Sequence, residues 1–299
     1  MIKRRLRAPF LFCGRGYRYS RTPSGPRAAC RSNVVLFQYR RLVAVSKELL
    51  RACQMKDRYE LRYCAFIDIL GFANLVLNRR SDPQDSDFIR RLLLSFRAGQ
   101  LTSMRGRLGS GFEVQIMSDA IVVSAPTTAI ALDKLFKQLT HSAIELLAAG
   151  YFVRGAIVKD LLCHEEELVF GPGLVRAYHF EQNTARYPRI MIAREVVEDV
   201  AAYGASSQLF ENRTMQAADG PHYLHILRRL EHIASTRSSA EDAFGSLSVW
   251  TRCRANIQSR LEEAADNPQH FEKVHWFAQY WNKTVEPDFR LGRIQGPGL

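Results

Sequence analysis

Acidic residues are nearly missing from the first 54 positions, where Glu48 stands alone against thirteen Lys and Arg. That scarcity decides how the formal charge of +12 is read. With thirteen of the 42 basic residues and one of the 30 acids set apart, 29 of each sign remain, so the rest of the chain is formally neutral. A basic face spread over a folded body, the footprint of a nucleic-acid-binding domain, is therefore not expected. Long apolar runs are missing too. None approaches the roughly 20 residues that a membrane span needs, so a soluble protein is expected. Cysteine is sparse and scattered: Cys13, Cys30 and Cys53 lie in the basic segment, and Cys64, Cys163 and Cys253 stand far apart without C-x-x-C spacing. This pattern offers neither a disulfide framework nor a zinc site, and it suits a reducing cytoplasm. There is no internal repeat.

What is present is a chain of 299 residues, 46% hydrophobic, enough for one large domain or two ordinary ones. Residues 1–54 are rich in Arg, Ser, Gly and Pro. Three readings stay open for them: a disordered arm, a targeting or nucleic-acid-binding peptide, or a segment upstream of a true start at Met55. The remainder divides into a core over 55–203 and a helical extension over 204–299 packed on it.

Tyr63 to Leu70 reads Y-C-A-F-I-D-I-L and runs into Gly71, as a buried strand entering a tight turn does. Asp82 to Asp87 is a polar loop, and Phe88 to Phe96 carries a helical apolar face. Phe112–Met117 and Ala120–Ser124 form a hairpin about Ser118-Asp119. Thr127 or Thr128 caps a long amphipathic helix that ends at Gly150. A strand over Tyr151–Val158, a short strand at Leu168–Phe170 and a helix over Leu174–Asn183 follow. After Pro188 come a short strand, R-I-M-I-A, and a helix over Arg194–Tyr203; helices over Ala240–Ala265 and Gln269–Lys283 close the chain. The order is that of a ferredoxin-like βαββαβ core of the α+β class with appended C-terminal helices.

Asp68 starts the functional argument. A carboxylate inside an apolar strand is costly unless it is paired, hydrogen-bonded or bound to metal. Asp119 stands at the hairpin turn, which a βαββ arrangement brings beside the end of the first strand. Two acids converging there can hold two hard divalent cations against a triphosphate, with Gly71 and Phe72 offering backbone N–H groups to phosphate. The plainer reading is that each acid serves its turn. Arg154 suits a bidentate phosphate contact or a structural ion pair. Glu165, Glu166 and Glu167 read as a solvated loop, with His164 exposed beside them.

These residues carry a resemblance. F-I-D-I-L-G-F (Phe66–Phe72) resembles the F-x-D-I-x-G-F metal motif of class III adenylate and guanylate cyclases, and I-M-S-D-A (Ile116–Ala120) falls where that family has its second metal aspartate. F-V-R-G-A-I (Phe152–Ile157) is similar to its Arg-bearing strand, and V-F-G-P-G-L-V-R-A-Y-H-F-E (Val169–Glu181) to its W-G-x-x-V-x-x-A-x-R-M-E helix start. Together with A-R-Y-P-R-I and K-V-H-W-F-A-Q-Y-W-N, the set resembles the bacterial pyrimidine cyclases of Pycsar antiphage defence.

The resemblance implies conversion of UTP to cyclic UMP and pyrophosphate, or of CTP to cyclic CMP, as a messenger for a separate effector during infection. It implies two Mn²⁺ or Mg²⁺ ions held by Asp68, Asp119 and the Ile69 carbonyl, and a homodimer with shared sites. Phe66, Gly71, Phe72, Gln115, Arg154 and Tyr178 are then the substrate contacts; Asp68, Asp119 and His179 are the catalytic set. There are departures from the family's pattern. Its base-reading Lys and Asp fall at Gln115 and Leu168, and its transition-state Asn and Arg at Val175 and His179. Gln115 can still donate to and accept from a base edge. Val175 cannot stabilise charge, which keeps a non-catalytic nucleotide-binding domain as a rival reading. Tyr178 suits either stacking on the base or packing its own helix.

Overall fold

The computed structural model describes residues 59–72, 111–117, 120–165, 168–205, 210–228, 230, 240–285 and 292–299, with backbone alone for 240–247. The expected helical face at 88–96, the polar loop at 82–87 and the Ser118-Asp119 turn lie outside them.

The first strand, β1 (Glu60–Ile69), alternates its side chains between two apolar cores. The hairpin follows as β2 (Glu113–Met117) and β3 (Ala120–Pro126), then helix α1 (Ala129–Ala148) and strand β4 (Val153–Glu165). β5 (Leu168–Phe170), α2 (Pro172–Thr184), β6 (Ile190–Ile192) and α3 (Arg194–Gly204) come next. β7 (Thr214–Gln216), β8 (His222–Leu224), α4 (Ala240–Glu263) and α5 (Pro268–Thr284) complete the described elements. The strands lie in the order β2-β3-β1-β4-β6-β8-β7, with β5 paired to the far part of β4. β4–β6 is parallel; the other pairings are antiparallel. The stretch β2-β3-β1-β4 is the strand order of a ferredoxin-like core, so the α+β expectation holds.

Local chemistry explains the boundaries. Thr128, not Thr127, caps α1: its side-chain oxygen accepts from the Ala131 N–H at 3.2 Å. The helix closes at Ala149, and Gly150 follows with φ +89°, the left-handed residue that commonly ends a helix. Before α2, Gly171 has φ +131°, and a Cβ there would meet the Tyr59 ring at 2.8 Å and the Leu161 carbonyl at 3.0 Å. Pro172 then takes the first helical position, where its missing N–H costs nothing.

Odd residues of β1 (Tyr63, Ala65, Ile67, Ile69) share a large core with α1, α4 and α5, including Leu132, Phe136, Trp250, Phe277 and Trp281. Even residues Cys64 and Phe66 face the other way, with Val122, Val158, Leu162 and Ala177 of α2. β6 is tied to α5 through Arg189, which is 3% exposed and donates to Asp219 at 3.0 Å; its guanidinium lies 5.3 Å from the Tyr187 and Trp276 ring centres. Among the described residues, no helix is long and apolar enough to cross a membrane.

Two expectations change. β4 does not stop near Val158 but continues to Glu165, because β1 pairs with it as far as Leu162 and β5 with its last three residues. β7 and β8 were not expected; each is three residues long, too short for alternation to declare itself.

Candidate functional site

Asp68 sits near the end of β1 on the face covered by α2, opposite Ala120 of β3 and Arg154 of β4. Strand alternation puts it there, two residues beyond Phe66. Arg154 Nε donates to Asp68 Oδ2 at 2.8 Å. The same nitrogen lies 2.6 Å from Glu181 Oε1, which comes down from α2 and is wholly buried. Glu181 belongs to an inward stripe with Gly173 and Ala177, spaced one helical turn apart. Burial pushes the Glu181 carboxyl up; Arg154 pulls it back and Asp68 pushes it up again. Both Asp68 and Arg154 keep about a fifth of their side chains exposed, so the pair opens to solvent at one side.

The neighbouring row of the sheet holds the expected substrate contacts. Gln115 is opposite Val122, and Val122 is opposite Phe66, so the three share the α2 face. Phe66 is 8% exposed, and the Tyr178 ring meets it edge-on at 5.5 Å. Tyr178 packs its helix and is also 45% exposed. Gly71 has φ +82° in the turn after β1, and the Leu70 N–H bonds to the Phe152 carbonyl at 2.9 Å. The Phe72 side chain belongs to the large core, as does that of Ile69, so any contact they make with a ligand is through the backbone.

The structure brings Asp68 and Arg154 together, with Phe66, Tyr178 and Gln115 on the same face. His179 is exposed on α2, outside the Gly173–Ala177–Glu181 stripe, with its ring centre 5.5 Å from that of Tyr178. Val175 shares that outward side at 53% exposure. Asp119 lies outside the described residues; Ala120, which follows it, is the β3 partner of Asp68. Arg154 makes ion pairs within the chain, the structural alternative of its two sequence readings.

His164 corrects an expectation of exposure. It is 8% exposed, and its Nδ1 is 2.8 Å from Ser124 Oγ, which also accepts from Arg62 Nε at 3.0 Å. Arg62 donates further to the Gly111 carbonyl and to Glu60. The physical reason is the extension of β4, which carries Leu162 and His164 inward where a loop would have left the imidazole in water. Ser124 Oγ and His164 Nδ1 share one hydrogen bond, whose donor follows the imidazole tautomer, and the buried Nε2 has no hydrogen-bond partner among the described residues. Burial, then the nearby Arg62 charge, lower the His164 pKa to about 4. The neutral ring is thus the folded form. Its contribution is fully present above the ordinary value near 6.5 and is lost as pH falls toward 4. Urea titrations at pH 7 and pH 5 should show wild type losing about 2 kcal/mol more than a His164→Asn variant over that interval. Equal losses in both proteins would remove His164 as the cause.

Glu181, Ser124 and Arg62 are residues of this region to which the sequence alone assigns no role. The i, i+4, i+8 spacing of Gly173, Ala177 and Glu181 was the available signal for the first. For the other two there was none, because their grouping depends on strand register.

The donor chemistry around Asp68 suits a hard cation. Two carboxylates share one guanidinium, and the buried Glu181 Oε1 accepts no hydrogen bond among the described residues. Among the described residues, no group of three or more His, Cys, Asp or Glu is arranged to hold a metal ion. Asp68 would supply one ligand to such a site.

No protein-family model and no curated protein matches the chain. Solved structures do. The guanylyl cyclase domain of the RhoGC fusion protein from the aquatic fungus Blastocladiella emersonii matches with 11% identity and a TM-score of 0.39, over 56% of this chain and 97% of that one. The adenylyl cyclase CyaB from P. aeruginosa matches with 14% identity and a TM-score of 0.37, over 56% and 94%. A class III adenylyl cyclase-like ATP-binding protein from Pseudomonas aeruginosa matches with 15% identity and a TM-score of 0.32, over 47% and 35%.

Proposed function

We propose that the chain is a pyrimidine nucleotide cyclase that converts UTP to cyclic UMP and pyrophosphate, acting as a homodimer in the cytoplasm and signalling to a separate antiphage effector. The observation that carries the reading is Asp68, a carboxylate at the end of a buried strand, flanked by Arg154 and the Gly71 turn within four motifs in family order.

Asp68, Asp119 and the Ile69 carbonyl would hold two divalent cations, Mg²⁺ or Mn²⁺, which when bound lower the pKa of the ribose 3′-hydroxyl and neutralise the triphosphate. The reaction is in-line attack of that hydroxyl on the α-phosphorus with loss of pyrophosphate. The chain's own part is positioning and charge. Arg154 offers a guanidinium fork to phosphate oxygens. The backbone N–H groups of Gly71 and Phe72 face the polyphosphate. Gln115 pairs with the base edge, and the Phe66–Tyr178 ring pair packs against the base. Val175 and His179 are exposed together on α2, as residues serving the site of a second subunit would be. Gln115 suits uracil and cytosine alike, so uracil is preferred on the resemblance alone.

Purified protein incubated with Mn²⁺ and each of the four nucleoside triphosphates should yield cyclic UMP. Cyclic CMP as the main product would transfer the assignment to cytidylate cyclase. No cyclic product from any of the four, with or without extract of phage-infected cells, would overturn the enzyme reading. Tight nucleotide binding without turnover would then fit the apolar Val175 at the position where charge needs stabilising.

A further inference from the structure

Arg154 Nε carries a single hydrogen, yet two carboxylate oxygens lie within 2.8 Å of it. That hydrogen points to Asp68 Oδ2. Glu181 Oε1 is slightly closer, at 2.6 Å, but accepts no hydrogen bond among the described residues, and its carboxylate is wholly buried. The other oxygen, Oε2, is already satisfied by the Gln182 side chain at 2.6 Å. A buried carboxylate oxygen that faces a guanidinium without receiving its hydrogen is costly, and a small turn of Arg154 would satisfy it. The exposed partner, Asp68, can instead be served by solvent or by a cation.

We infer that Arg154 is a counter-ion latch on Asp68 and that Glu181 is its receiver, a positioning residue that takes Arg154 over when a divalent cation takes Asp68. This rests on the reading of Asp68 as a metal ligand and adds a role for Glu181 to it. Charge bookkeeping favours the exchange. In the latched state Asp68 and Glu181 share one positive charge. In the open state Arg154 belongs to Glu181 alone, and Asp68 is free to balance the cation. Arg154 then stays beside the site with its remaining N–H groups free to meet phosphate oxygens. Glu181 touches neither the cation nor the substrate in this scheme. It acts by giving Arg154 somewhere to go.

The test is Mn²⁺ binding to the full chain without nucleotide, read from the EPR signal of free Mn²⁺. Arg154→Gln should bind Mn²⁺ about tenfold more tightly than wild type, because the competitor for Asp68 is gone. Glu181→Gln is isosteric but uncharged; it should bind about tenfold more weakly, since Arg154 then has Asp68 as its sole counter-charge. Glu181→Asp, which keeps the charge, should recover most of that loss. In the Arg154→Gln background, Glu181→Gln should change the affinity by less than about twofold, because Glu181 acts through Arg154. An equal tenfold loss in both backgrounds would overturn the latch and make Glu181 a ligand or a structural group. Unchanged affinity in Arg154→Gln would overturn it as well. If Arg154→Gln does not fold, Arg154→Lys, with its point charge in place of the fork, is read instead and should bind Mn²⁺ more tightly than wild type; unchanged or weaker binding overturns the latch. Wild type binding no more Mn²⁺ than Asp68→Asn marks a different failure, that of the metal reading itself.

Discussion

Asp68→Asn should fold as wild type does and form cyclic nucleotide at least about a thousandfold more slowly, a barrier increase of about 4 kcal/mol. The substitution keeps shape and keeps an acceptor oxygen for Arg154, so the hydrogen bond to the Arg154 Nε survives in neutral form. Arg154 also retains Glu181 as a charge partner. For these reasons the melting temperature should move by no more than a few degrees. What disappears is the negative charge that, under the proposed function, would hold a hard cation at the α2 face of β1. The checks are product quantification with saturating Mn²⁺ and nucleotide, beside a circular dichroism melt. An Asp68→Asn protein that cyclises at the wild-type rate would remove Asp68 from the mechanism. Asp119→Asn should show the same loss if the two acids work as a pair.

Trp281→Ala should lower the unfolding free energy by about 3–5 kcal/mol, in the range for removal of a large core aromatic. Trp281 has no exposed surface, packs against Trp250 with ring centres 6.2 Å apart, and donates from its indole N–H to the Gly292 carbonyl at 3.3 Å. Its core is the one that holds the odd face of β1 and the inner face of α1. The destabilisation should therefore appear as a single urea transition displaced to lower denaturant, with no early phase. The division into a core over 55–203 and a helical extension over 204–299 predicts the opposite if the two fold apart. Two transitions, with the loss confined to one, would show α4 and α5 to be a separate cooperative unit.

The two predictions draw on parts of the chain that were unequally legible. Asp68 could be found by reading, because a lone carboxylate in Y-C-A-F-I-D-I-L conflicts with burial on both sides of it. Its partner could not. Arg154 is 86 residues away, and their contact depends on β1 and β4 pairing in the register that puts Asp68 opposite Arg154. A slip of one residue would turn Arg154 to the other face. Glu181 was harder still. Its inward stripe contains only Gly173 and Ala177 beside it, on a helix whose other residues are mostly exposed and polar, so the apolar pattern that marks a buried face is faint. His164 misled for a related reason: three consecutive glutamates after it read as solvated loop, while the pairing of Cys163 with Phe170 keeps the backbone extended and the ring inside.

The sequence by itself determined most of the longer elements and several of their ends, because the interactions responsible span two to four residues. These are the alternation of β1, the Thr128 cap, the left-handed Gly71 and Gly150, and the Gly171-Pro172 break before α2. It also singled out Asp68, since burial of a charge is a local contradiction. The tertiary structure alone decided that one guanidinium serves both Asp68 and Glu181, and that Ser124, Arg62 and His164 meet inside. Such meetings depend on strand register and helix placement, which the apolar cores select collectively and no short stretch of residues encodes.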